Sequence, residues 1–130
     1  MTREEHIKFW FDSAENDWLT VEALKNAGRY VHSLFFAHLV LEKLCKAHWV
    51  KDNEGRYPPK THNLVYILGQ TTLFLSPSQT DFLLLMNDFQ LEGRYPDYQQ
   101  KIYNLYKLNN TGEILNEVKK IKSWLTSNLQ

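Results

Sequence analysis

A single cysteine, Cys45, is all the sequence holds, so an intramolecular disulfide is excluded and a cysteine-based zinc site lacks ligands. Between Leu44 and Lys46 in a helical pattern, its thiol reads as a small core group rather than a nucleophile. An excess of either charge is also missing: 15 Lys plus Arg balance 15 Asp plus Glu. That balance removes the basic surface with which duplex binders neutralise phosphates, so strong nucleic-acid binding is not expected. No apolar run approaches the roughly eighteen residues of a membrane span. The opening Met1-Thr-Arg-Glu-Glu-His carries no apolar segment after a basic start, so a cytoplasmic location is expected. Of the five histidines, only His38 and His48 could share a face, ten residues apart, so neither a metal site nor a cofactor is expected.

What the chain does have is core material. Apolar residues make up 43% and aromatics 14%, which argues against disorder, and 130 residues suit one domain spanning 1–130. The few glycines and prolines fall at boundaries. Ile7, Trp10, Phe11, Ala14, Trp18, Val21 and Leu24 keep helical spacing from Glu4 to about Ala27, and Gly28 suits the position that ends such a helix. A second helix is expected from Tyr30 to Asp52, apolar almost all round from Leu34 to Leu41, until Pro58 and Pro59 forbid its continuation. Some of that all-round apolar surface is expected to cover a second subunit. Thr61 should cap a short helix carrying Leu64, Ile67 and Leu68. Ser76-Pro-Ser-Gln79 combines an N-cap, a proline at N1 and a capping-box glutamine, with Phe82, Leu85, Met86 and Phe89 on the face that follows and Gly93 as its stop. Residues 98–108 are weakly helical. Asn110-Thr-Gly-Glu113 reads as another capping box ahead of the stripe Ile114, Val118, Ile121 and Leu125. No strand is expected. The fold class is all-α, an up-and-down bundle of four to five helices.

Several separated pieces then form an ordered set: Asp17-Trp18-Leu19, Gly28-Arg-Tyr30, Phe35-Phe-Ala37, Glu42-Lys43 with Lys46-Ala47, Pro59-Lys-Thr-His-Asn-Leu64 and Arg94-Tyr-Pro-Asp97. In this order the chain resembles the HEPN family, in particular the subgroup with Lys-Thr-His and Arg-Tyr-Pro-Asp motifs, over almost its whole length. The resemblance implies a helical bundle, commonly dimeric, often paired with a minimal nucleotidyltransferase partner in toxin–antitoxin systems. Family members include nucleotide binders, ribonuclease toxins and non-catalytic interaction modules, so fold alone does not assign the activity.

Catalytic relatives carry an Arg followed by a His after four to six residues, an Arg fork for phosphate charge and a proton-transferring imidazole. After Arg94 no such His follows. Arg56 and His62 have the spacing but span the Pro58-Pro59 loop, away from the family's position, and are read as coincidence. The expectation therefore leans away from an enzyme. The ligand-binding cluster is expected at Lys60, His62, Arg94, Tyr95 and Asp97, with Lys46 joining if it lies beside Arg94. Lys60 and Arg94 would hold phosphates and Tyr95 would stack on a base. The plainer alternatives are a helix start at Lys60-Thr61-His62, an Arg94–Asp97 pair across a proline turn, and a solvated Glu42–Lys46 face. His38 is expected to be a hydrogen-bonded core or interface residue, and Lys119, Lys120 and Lys122 the wet face of the last helix. The function expected is thus a non-catalytic module for a nucleotide or a nucleotidyltransferase partner. The rivals are an atypical ribonuclease toxin and a purely structural interaction domain.

Overall fold

A computed structural model describes residues 1–55, 57–90, 100–101, 104–106 and 108–129, with the side chains of 108 and 109 left aside. Among the described residues the helices that carry the fold are α1 (Arg3–Asn26), α2 (Tyr30–Asp52), α3 (Leu64–Leu68), α4 (Pro77–Asn87) and α5 (Leu108–Ser127). Among the described residues there is no strand, and no helix is long and apolar enough to cross a membrane.

Helix α1 begins where Thr2 Oγ1 accepts from the Glu5 N–H at 3.0 Å, with Glu4 and Glu5 complementing the dipole of the first turn. It ends in a Schellman turn. Gly28 takes φ +76°, its N–H bonds the Lys25 carbonyl, and the Arg29 N–H reaches back to the Leu24 carbonyl at 2.8 Å. The three-residue link returns α2 antiparallel to α1, as the Arg3 guanidinium shows by donating to the Asn53 carbonyl beyond the far end of α2. The pair is cross-tied by Ser33 Oγ donating to the Val21 carbonyl and by Lys43 reaching Ser13 and Asp17.

Helix α2 is the axis of the molecule, with Leu34, Ala37, Val40, Leu41, Leu44 and Cys45 fully buried. Burial, with the Glu42 carboxylate second, pushes the Cys45 thiol up, so it stays protonated core material. Its all-round apolar centre is largely covered within one chain, so that pattern alone does not require a second subunit. One hydrophobic cluster draws on all five helices: Ala14 and Val21 of α1, Ile67 and Leu68 of α3, Leu83 and Met86 of α4, and Leu115, Val118, Ile121 and Leu125 of α5 all face α2 or each other. Phe11 and Trp18 pack against this cluster, as the aromatic stripe of α1 suggests, while Trp10 lies under the Lys46 ammonium instead.

Four local expectations need correction. The cap of α3 is Asn63, whose side chain accepts from the Tyr66 N–H; Thr61 Oγ1 instead accepts from the Asn63 N–H in the turn before it. The Ser76 capping box is present with Pro77 at N1, but α4 ends at Asn87, and Leu83 rather than Leu85 points inward. Helix α5 starts at Leu108, so Asn110–Glu113 lies inside it, and Thr111 is buried. Lys122 is not on the wet face: it pairs with Glu15 at 2.9 Å over the Trp18 ring and ties α5 to α1. Gly93 lies outside the described residues.

Candidate functional site

Residues spaced by four on a helix share one face. On α2 that spacing joins His38, Glu42 and Lys46, three polar residues in the helix with the most buried residues. The first two reach the segment that precedes α3, and Lys46 reaches Glu42. The His38 Nε2–H donates to the His62 carbonyl at 2.9 Å, and the Glu42 Oε1 accepts from the His62 Nδ1–H at 2.8 Å. The backbone and the ring of His62 are therefore both gripped by one face of α2. The other oxygen, Glu42 Oε2, accepts from Lys46 Nζ at 3.0 Å.

Burial sets the electrostatic character of this group. The Glu42 side chain is 7% exposed and that of Lys46 13%, so the pair is no solvated face, contrary to the plain reading of its spacing. A carboxylate taken out of water needs its oxygens occupied, and here two donors occupy them. His38 is completely buried, and its pKa is lowered, chiefly by desolvation, against the opposing pull of Glu42. It is thus a neutral imidazole, with Nδ1 facing Glu42 Oε1 at 3.9 Å. His62 differs: its side chain is 48% exposed, with one ring edge on Glu42 and Nε2 on the opposite edge. Beside it Lys60 is exposed.

Of the residues expected at the site, the structure brings together His62 and Lys46, through Glu42, and places Lys60 two positions from His62 in the same loop. Arg94, Tyr95 and Asp97 lie outside the described residues, as does Arg56. Two residues at the heart of the group, Glu42 and His38, were not in the expected binding set. The signal that could have found them is the four-residue spacing of polar side chains within a core helix, since a buried carboxylate must have partners.

The segment after α3 is anchored to α2 as well. Asn53 Nδ2 donates to the carbonyls of Trp49 and Gln70, both at 3.0 Å, and the Trp49 indole N–H donates to Gln70 Oε1 at 2.7 Å. Asp52 Oδ2 accepts from both the N–H and the hydroxyl of Thr72. The chain leaving α3 is therefore fastened to the end of α2. Elsewhere on α2, the His48 Nε2–H donates to the Leu125 carbonyl at 2.7 Å, which docks the end of α5.

The sequence pattern of one protein family, described as the HEPN domain, matches residues 7–129. No curated protein and no solved structure matches the chain.

Proposed function

This chain belongs to the HEPN domain family, and from that premise we propose that it is a non-catalytic, single-domain binding module whose ligand is a nucleotide, held at the surface around Lys60 and His62. The observation that carries the reading is the double grip on His62. Its carbonyl accepts from His38 and its Nδ1–H donates to Glu42, so the loop that carries Lys60 is fastened to α2 at two points. A cation on a loop so fastened suits an anionic ligand, since less ordering entropy is lost on binding. Arg94, Tyr95 and Asp97 complete this surface in the proposal, with Arg94 on phosphate and Tyr95 on the base. Homodimerisation, a minimal nucleotidyltransferase partner as in toxin–antitoxin pairs, and a cytoplasmic setting belong to the same proposal and are supported by the family resemblance alone.

Thermal unfolding with nucleoside triphosphates at millimolar concentration tests the reading. A ligand bound only by the folded state raises the melting temperature in proportion to the logarithm of its concentration above Kd. Lys60→Ala and Arg94→Ala should each abolish that rise without lowering the ligand-free melting temperature, and added salt should shrink it. If no triphosphate moves the wild-type curve, the nucleotide reading is lost and the interaction-module reading takes its place.

A ribonuclease reading is favoured by one observation. A carboxylate accepting from Nδ1–H is the contact that orients a general-base imidazole. Against it stands the lack of a His after Arg94. Purified protein is expected to leave single-stranded and structured RNA intact; cleavage abolished by His62→Ala would reverse the assignment.

A further inference from the structure

The first turns of α1 and the turn that follows α2 enclose a cleft of about 500 Å³, separate from the Glu42 group. Arg3, His6 and Phe9 form one side, and Val50, Glu54 and Tyr57 the other. Its aromatic rings are left open: Tyr57 is 79% exposed and Phe9 52%. His6 is set between rings, 6.2 Å from Trp10 at an interplanar angle of 29° and 6.3 Å from Tyr57 at 71°. The walls do not depend on an occupant. Arg3 donates to the Asn53 carbonyl, Asn53 is tied to Trp49 and Gln70, and Gly55 lies so close to Trp49 that a Cβ there would stand 3.0 Å from the indole ring.

We propose that this cleft is a ring-binding subsite for a planar heteroaromatic base bearing N–H donors and a carbonyl on one edge, as guanine does. The volume suits a nucleoside, and flat apolar faces flanked by one donor and one acceptor suit its edge. The Glu54 carboxylate can only accept, so it takes a ring with N–H groups. The Arg3 guanidinium has N–H groups beyond the one spent on Asn53, and these take a carbonyl. Arg3 also argues against the other occupant of aromatic cages, a quaternary ammonium, which it would repel. A line of side-chain contacts joins the cleft to the proposed binding surface. From His6 the contacts run to Trp10, to Lys46 with its Nζ 5.5 Å from the Trp10 ring centroid, to Glu42 and so to His62. Naming the ring as the base of a nucleotide rests on the proposed function; that the cleft takes such a ring does not.

Amide NMR titrations of the full chain separate the two. Guanosine and tripolyphosphate serve as ring-only and phosphate-only probes against wild type, Tyr57→Ala, Glu54→Gln and Lys60→Ala. Because Tyr57, Glu54 and Lys60 are exposed, these changes spare the core. Guanosine is expected to shift amides in residues 3–9 and 53–57. Its Kd should rise about tenfold or more in Tyr57→Ala, as the loss of a stacking ring implies, and likewise in Glu54→Gln, while Lys60→Ala leaves it unchanged. Guanosine binding that is absent, or undiminished in Tyr57→Ala, overturns the cleft assignment, even if triphosphates still raise the melting temperature through Lys60. Guanosine binding at the cleft with no tripolyphosphate response supports the cleft and removes the Lys60 phosphate site instead.

Discussion

Glu42 is a carboxylate shut inside the fold with two donors on it, and its neighbours cannot be removed at surface cost. Exposed helical ion pairs contribute a few tenths of a kcal/mol, but breaking a buried pair strands the remaining charge. Lys46→Met, which keeps the apolar stem over Trp10, should lower the unfolding free energy by on the order of 3 kcal/mol in urea titrations. Adding Glu42→Gln should recover a large part of that loss, because the stranded charge goes with it. If the single change costs under about 0.5 kcal/mol, comparable to an exposed pair, the carboxylate is satisfied by His62 alone and Lys46 is free to serve a ligand. Cys45, between these two charges in sequence, is by contrast inert: burial holds its thiol protonated, so alkylating reagents should reach it only in the unfolded chain.

At the scale of elements, Gly28 carries the turn between the two longest helices. Nothing lies within 4 Å of a Cβ built there, so a substitution meets no clash and feels only its positive φ. Gly28→Ala should therefore cost about 1–2 kcal/mol, measurable as a lower urea midpoint with an unchanged slope, while Gly28→Asn should cost less. Such turns are legible in sequence because their cause is local. Gly28 and the Pro58-Pro59 pair bracket α2, whose observed bounds, Tyr30–Asp52, are those expected, and Ser76-Pro-Ser-Gln79 fixes the start of α4 in the same way. Other boundaries were not. Thr61 and Asn63 are both able caps, and the choice goes to Asn63, whose Oδ1 also accepts from Asn87 of α4. Asn110-Thr-Gly-Glu113 looks like a start, but Thr111 falls on the buried side with Leu115 and Val118, and packing extends the helix through it. The candidate site was half legible for a related reason. His62 and Lys60 stand in a loop motif, whereas Glu42 and His38 lie in a core stripe and meet His62 only because the proline loop folds back twenty residues later.

For the molecule as a whole, the interior histidines make stability depend on pH. His38 joins α2 to the loop before α3, His48 joins α2 to α5, and both have pKa values lowered from 6.5, burial being the largest cause for each. Below about pH 6.5 the unfolded chain takes up protons that the native state refuses, so stability is full above that value and falls as pH drops beneath it. Each histidine adds up to about 1.4 kcal/mol per pH unit until its folded pKa is reached. The urea midpoint should drop between pH 7.5 and 5.5, and His48→Gln, which can still donate toward Leu125, should flatten that drop; a midpoint constant over this range would contradict the assignment. The hairpin of α1 and α2 has a further consequence, which concerns the order of assembly. Its two helices are joined by only three residues, so closing that loop costs little chain entropy, whereas α5 must be brought back across more than fifty residues to reach His48. The hairpin is thus the natural nucleus. Damage at Gly28 should then be felt as slower refolding, and damage at the Leu125 docking point as faster escape from the native state.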